Sequence, residues 1–186
     1  MKNVVVVILI VTALAGIYFG AYLPWEKAQL YIATNKASAS FRTVNDIVQA
    51  YEKALTFYSP IGNRELIKFS INNMLQAVSQ KNQPETVSKV LAEYIESYVF
   101  KDDLIHFLHI AYIYNVLWQR FGDEVYFKSA ESYFNQAREI GPRVPHMLYG
   151  LFDLYGRKGD REKQREVGEE ILALWPNDER IRQITE

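Results

Sequence analysis

Cysteine is absent from this chain of 186 residues, which excludes disulfides and thiol catalysis and is compatible with either side of a membrane. An excess of one charge is also missing: 21 lysines and arginines stand against 22 aspartates and glutamates, a net charge of -1. That balance gives no electrostatic case for binding nucleic acid or anionic lipid. Only six prolines and nine glycines interrupt the chain. No segment sustains period-two alternation between turn dipeptides, so a β-sheet is not expected. A Gly-x-Ser-x-Gly elbow, a phosphate-binding glycine loop and a zinc-helix motif are all lacking. Neither catalysis nor a cofactor is therefore expected of this chain.

What the chain does contain is apolar and aromatic. Thirteen tyrosines and ten phenylalanines raise the aromatic fraction to 14%, too much apolar material for a disordered tail. The stretch NVVVVILIVTALAGIYFGAYLPW, Asn3–Trp25, carries no charge. At about 1.5 Å per residue, residues 3–23 can cross a hydrocarbon core of roughly 30 Å. Tyr18, Tyr22 and Trp25 lie toward its far end, where amphipathic rings favour the membrane interface, and Pro24 is expected to end the helix there. Ala13-Leu14-Ala15 resembles a small-x-small cleavage site, but the apolar run continues well past it. The expectation is an uncleaved anchor. Lys2 and the α-amino group flank one side and Lys27, Lys36 and Arg42 the other, with Glu26 among them. The charge nearest the bilayer favours the N-terminus inside and the following domain outside the cytoplasm.

Beyond the anchor, apolar periodicity and punctuation predict helices at about 26–40, 43–58, 64–80, 84–99, 103–121, 124–140, 145–157 and 161–174, with a stub from about 178. Asp123 and Asp160 each follow a glycine and can cap the helix behind them. Gly141-Pro142 and Pro176 close the helices before them. Short turns imply antiparallel pairs. Tyr114, Leu117, Trp118 and Phe121 recur as Leu148, Leu151, Phe152 and Tyr155, each 34 residues on, the same interval that separates Pro142 from Pro176.

On those residues the C-terminal half resembles the tetratricopeptide repeat (TPR) family, whose pattern is Trp-x2-Leu-Gly-x2-Tyr, then Ala-x3-Phe, then Pro. Tyr114, Leu117 and Phe121 match the first helix of one repeat, and Ala130, Phe134, Ala137 and Pro142 its second helix and closing turn. The next repeat supplies Leu148, Leu151, Tyr155 and Pro176. Departures are the large Trp118 and Phe152 where the family has a small residue, and Gln164, Gly168 and Ile171 at the alanine and aromatic positions of the last helix. Phe152 lies against the space left by Gly168, or else the last helix shifts. Farther N-terminal, AYEKAL (Ala50–Leu55) keeps only the Tyr-x2-Ala spacing, and VSKVLAEYIESY (Val87–Tyr98) is amphipathic without the signature.

The resemblance implies an all-α fold: an N-terminal transmembrane helix followed by a short right-handed α-solenoid of helical hairpins. Its parts would be an anchor over 1–25, degenerate hairpins over 26–110, and two TPR units with a C-terminal capping stub over 111–186. It also implies a protein or peptide partner in a concave groove lined by the first helices. The inward positions would be Tyr112, Asn115 and Gln119 in one repeat and His146, Tyr149, Asp153 and Arg157 in the next. The competing reading of this set is ordinary exposed helix, with Tyr112 or Tyr149 as shared core aromatics. A membrane helix leading into AYEKALTFYSPIGNRELIKFSINNML and then TPRs is also similar to the tail of some bacterial O-antigen ligase-like membrane proteins, without the polytopic part that carries their chemistry. That layout implies an envelope context and an accessory role toward glycan, lipid carrier or polymerase. Self-association through open repeat ends is a further possibility.

Other polar clusters carry less. His106 and His109 share a helix face beside Asp102 and Asp103, but a metal site needs a third firm ligand and none is in reach along the sequence, so no metal is expected. His146 and Asp153 have no nucleophile motif nearby. GRKGDREKQREVGEE, Gly156–Glu170, mixes signs, and its Glu162–Arg165 and Arg165–Glu169 spacings suit a solvated helix face. If small residues at 130 and 137 admit a neighbouring helix, Ala137→Leu overpacks the seam. It should lower stability by about 1–3 kcal/mol; a thermal melt equal to that of the parent chain would count against that packing.

Overall fold

The computed structural model describes residues 2–185. Their regular structure is entirely helical: α1 (Lys2–Ile17), a π-turn (Tyr18–Tyr22), α2 (Leu23–Ala37), a 3-10 turn (Ser38–Ser40), α3 (Val44–Thr56), α4 (Asn63–Val78), α5 (Glu85–Glu96), α6 (Leu104–Phe121), α7 (Glu124–Ile140), α8 (Pro145–Lys158), α9 (Arg161–Leu174) and α10 (Glu179–Thr185). The helices from α2 onward begin and end within three residues of the spans read from the sequence. The described residues fall into two compact units, one ending at Ser70 and one beginning at Ile71. Within the first, the apolar segment continues into α2 and α2 packs on α3.

In the first unit, residues 2–40 form one unbroken helix of 39 residues, long and apolar enough to cross a membrane. The large apolar side chains from Val4 to Ile17 are 53–63% exposed, so no protein surface covers them. Pro24 does not end this helix, contrary to the sequence expectation. In a regular α-helix its ring would meet the carbonyl of Gly20, four residues back. Here the π-turn widens the backbone just ahead of it: the Leu23 N–H bonds to the Tyr18 carbonyl, five residues back.

α3 starts with a reciprocal cap. The Thr43 hydroxyl accepts from Asp46 N–H at 3.2 Å, and the Asp46 carboxylate accepts from the backbone N–H groups of Arg42 at 2.9 Å and Thr43 at 2.8 Å. Those donors hold the Asp46 carboxyl below the usual carboxylate range, the Arg42 N–H contributing most. α3 has no glycine at its C-terminal end. The buried Lys27 ammonium of α2 donates instead to the Leu55 carbonyl at 3.4 Å and the Phe57 carbonyl at 2.6 Å. Burial pulls the Lys27 pKa down. Thr34 adds a bond to the Ala50 carbonyl at 2.9 Å, and the Tyr51 hydroxyl donates to Asn35 at 3.1 Å.

The second unit is built on two hairpins, α6–α7 and α8–α9. Gly122 (φ 76°) and Gly159 (φ 80°) take the left-handed conformation that ends α6 and α8, one that L side chains rarely adopt. Asp123 then caps α7 through Val125 N–H at 2.9 Å, and Asp160 caps α9 through Lys163 N–H at 3.1 Å. These hairpin turns repeat at 37 residues while Pro142 and Pro176 repeat at 34. The difference arises because α7 has 17 residues and α9 has 14.

Phe134, Leu117, Leu148, Leu151 and Phe152 are at most 1% exposed and form the centre of this unit, with Ala130 and Ala137 at 0%. Gly150 lets α8 approach: a Cβ there would lie 2.3 Å from the Phe134 ring. The alternative left open at Gly168 is resolved as a size exchange. A Cβ at Gly168 would lie 3.0 Å from the Phe152 ring and 2.5 Å from the Thr185 hydroxyl.

Like α3, α4 ends without a glycine, and its carbonyls are met from afar. The Arg120 guanidinium, on α6, donates to the Val78 carbonyl, to the Gln83 carbonyl at 2.7 Å and to the Lys81 carbonyl at 3.3 Å. It also lies 4.7 Å from the Phe121 ring centroid. Hydrogen bonds to a charged donor are worth about 1.5–3 kcal/mol each. Arg120→Ala should therefore cost roughly 2–3 kcal/mol in chemical denaturation in mild detergent. Arg120→Lys should recover less than half of that, since one ammonium cannot reproduce the planar fork. Full recovery by lysine would show that charge alone matters at this position.

Candidate functional site

The positions assigned to a groove lie on α6 and α8, which touch each other as well as their hairpin partners. On α6, Tyr112 is half-buried and meets the Phe134 ring edge-on at 5.3 Å. Burial pushes its phenol pKa up, and the negative charge of Asp153 pushes it further, so these two positions are neighbours. The exposed Gln119 donates to the Asn115 side chain at 2.9 Å, one turn along the same face.

On α8 the set divides. The Tyr149 hydroxyl donates to Asp178, and its ring stacks on Trp175 with centroids 6.1 Å apart. Arg180 sits 6.0 Å from the Tyr149 ring centroid and pairs with Asp153 at 2.7 Å. The bond to Asp178, more than burial, raises the Tyr149 pKa, and the same bond lowers that of Asp178. Trp175 and Asp178 lie between α9 and α10, and Arg180 is in the first turn of α10. They were not singled out from the sequence. Their signal was the interval from Pro145 to Glu179, 34 residues, which places α10 where the first helix of another unit would start. His146 and Arg157 are exposed and make no hydrogen bond or ion pair among the described residues.

The remaining sequence candidates are structural in their surroundings. His106 is buried, and its Nδ1 accepts from the Phe100 N–H at 3.3 Å. Asp103 caps α6 through the N–H groups of Ile105 at 3.0 Å and His106 at 3.2 Å. His109 is half-buried on the same helix. Tyr114 and Tyr155 are buried with Leu117, Leu148 and Leu151, Phe121 is half-buried, and Pro142 and Pro176 are exposed in turns. In the charged run, Arg165 and Glu169 approach to 3.8 Å across one turn. Lys158 and Lys163 instead reach back to Glu124 and Glu131 of α7, Lys163 at 2.7 Å.

A second concavity, about 310 Å³, opens beside Glu96, Lys101, Phe107, Tyr133, Gln136 and Ile140. Glu96 accepts from both the Tyr114 and the Tyr133 hydroxyls, so two oxygens are taken by two phenols. Equivalent links run from Tyr126 to Glu85 at 3.1 Å and from Tyr155 to Glu131 at 2.8 Å. Sequence reasoning missed this set because each partner comes from a different helix.

Comparison with family models, curated proteins and solved structures returns no match to this chain.

The tyrosine links set an alkaline limit. Burial first, then the carboxylate partner, raises the pKa of Tyr114, Tyr133 and Tyr155, and pushes Tyr126 up to about 12. The fold keeps these protons while the unfolded chain loses them near pH 10. Their contribution is complete below about pH 10 and declines above it, for Tyr126 across about pH 10–12. The melting temperature should therefore fall over that interval. Tyr126→Phe should flatten the fall while lowering stability at pH 7 by about 1–2 kcal/mol through the lost bond to Glu85. An unchanged alkaline slope would refute the assignment.

Proposed function

We propose that this chain is a single-pass membrane-anchored scaffold of TPR-like hairpins that holds a protein or peptide segment against the α6–α8 face. Its domain would lie on the outer side of the membrane in a cell envelope. Two features support this reading: an apolar helical segment left uncovered along its whole length, and contact between α6 and α8, on which exposed Gln119, His146 and Arg157 lie. Tyrosine and arginine are the side chains over-represented at binding hot spots. Anchoring raises the effective concentration near membrane partners without any new contact.

Tyr149 holds Asp178 and Trp175, so truncating it perturbs α10 as well as any ligand. His146, Arg157 and Gln119 are the cleaner probes. Photo-crosslinkers at these positions in the full chain, expressed in its own host, should capture one discrete partner, and a crosslinker at the exposed Ser132 of α7 should not. His146→Ala with Arg157→Ala should then weaken that partner about tenfold or more without moving the melting temperature. Unaltered affinity in the double variant would remove this face as the binding surface. Capture of a polytopic glycan-processing enzyme would identify the partner as envelope-polymer machinery.

A further inference from the structure

We infer that the α3–α4 loop, Phe57–Ile61, is a second membrane contact that seats in the lipid interface beside the anchor. The inference rests on the anchor reading above. Three observations converge on it, all within the first unit.

The first is height. From Asn3 to Tyr22 the helix has the length of the hydrocarbon core, about 30 Å at 1.5 Å per residue. Tyr18, Phe19, Tyr22 and Trp25 therefore fall where the core gives way to headgroups. Phe57 and Tyr58 line one cleft with Tyr18, Phe19, Tyr22, Leu23 and Glu26, so the loop stands at the level where apolar rings meet the first charged side chain after the span.

The second is exposure. Tyr58 is 67% exposed, Ile61 57% and Trp25 57%, although each is large and apolar or amphipathic. Aromatic rings with a polar tip are the side chains that concentrate at the interface. Through the cleft that Tyr58 shares with Tyr18, Phe19 and Tyr22, the loop adjoins the end of the uncovered apolar helix.

The third is rigidity. The Ser59 hydroxyl donates to the Ile61 carbonyl at 2.7 Å, and the Asn63 amide donates to the Ser59 carbonyl at 2.8 Å. Lys27 ties the Leu55 and Phe57 carbonyls to the first turns of α2, the direct continuation of the anchor. These bonds hold the loop backbone, and Lys27 fixes its height on the helix that continues the anchor.

With one contact on the helix and one on the loop, the first unit is restrained against both rotation about the helix axis and tilt. The contact is apolar and aromatic, so it should form on neutral lipid.

The absence of cysteine makes the test direct. Single cysteines at Ile10, Tyr58, Ile61 and Ala39 of the full chain are labelled with an environment-sensitive fluorophore and reconstituted into phosphatidylcholine vesicles. Iodide reports water access, and headgroup-region nitroxide lipids report interfacial depth. The expected result is loss of iodide quenching at 58 and 61, with quenching by the shallow nitroxide. Ala39, in the 3-10 turn beyond α2, should remain open to iodide. If Ile10 is shielded while 61 is as open as 39, the loop contact is wrong and the anchor stands. If Ile10 itself is open to iodide, the anchor reading fails and the loop contact fails with it. Shielding at 61 that disappears on dilution into excess lipid would assign the patch to a second copy of the chain and overturn the lipid assignment.

Discussion

The last carbonyls of every helix must find donors, and the way this chain meets that requirement organises both of its units. A helix leaves four acceptors open at its C-terminus. α6 and α8 satisfy theirs locally, through left-handed Gly122 and Gly159. α3 and α4 have no such glycine and are closed by cations from other helices: Lys27 for the first, Arg120 for the second. Each cation also favours the negative end of the helix dipole it meets. The long-range caps therefore fix the position of one helix against the end of another, which a local glycine cap cannot do. Lys27 sets α3 against α2, and Arg120 sets the end of α4 and the following turn against α6.

Packing between the hairpins follows from size matching. Phe134 can be completely buried between α6 and α8 because Gly150 offers only a hydrogen opposite it. Within the α8–α9 hairpin, Phe152 meets Gly168 by the same exchange of size. Adding a methyl at either glycine would favour the helix by about 1 kcal/mol in propensity. Approaches of 2.3 Å and 3.0 Å to buried rings outweigh that gain. Around these contacts lies a layer of tyrosines whose rings fill the seams and whose hydroxyls end on carboxylates of adjacent helices. A phenol suits this place because its ring can be buried while its hydroxyl still has a partner.

The sequence made the local determinants legible. Helix spans followed from apolar periodicity, and Asp123 and Asp160 were readable as caps because a cap and its helix are adjacent. Long-range determinants were not. Arg120 and the Val78 carbonyl are 42 residues apart, and nothing around Arg120 marks it as a cap. Pro24 was misread because the π-turn that relieves it depends on backbone geometry upstream, which composition does not encode. The 34-residue interval was real between the prolines but not between the hairpin turns. A three-residue offset returns a helix to nearly the same face, so the two registers give similar apolar patterns. The surroundings of the groove positions on α8 were not legible either, because Asp178 and Arg180, which take the ends of Tyr149 and Asp153, come from beyond α9.

That arrangement at α10 has an energetic consequence. Seven residues are too few to remain helical alone, since isolated helices shorter than about 12–15 residues are marginal in water. The order of α10 therefore depends on buried Ile181, on Thr185 against Gly168, and on the polar contacts to Tyr149 and Asp153. A ligand that claimed Tyr149 or Asp153 would have to replace contacts that hold α10, and its affinity would be reduced by that competition. Gln119, His146 and Arg157 lie outside those contacts. The face is thus unequal along its length: Gln119, His146 and Arg157 are exposed and lie outside the α10 contacts, while Tyr149 and Asp153 in its middle close the second unit.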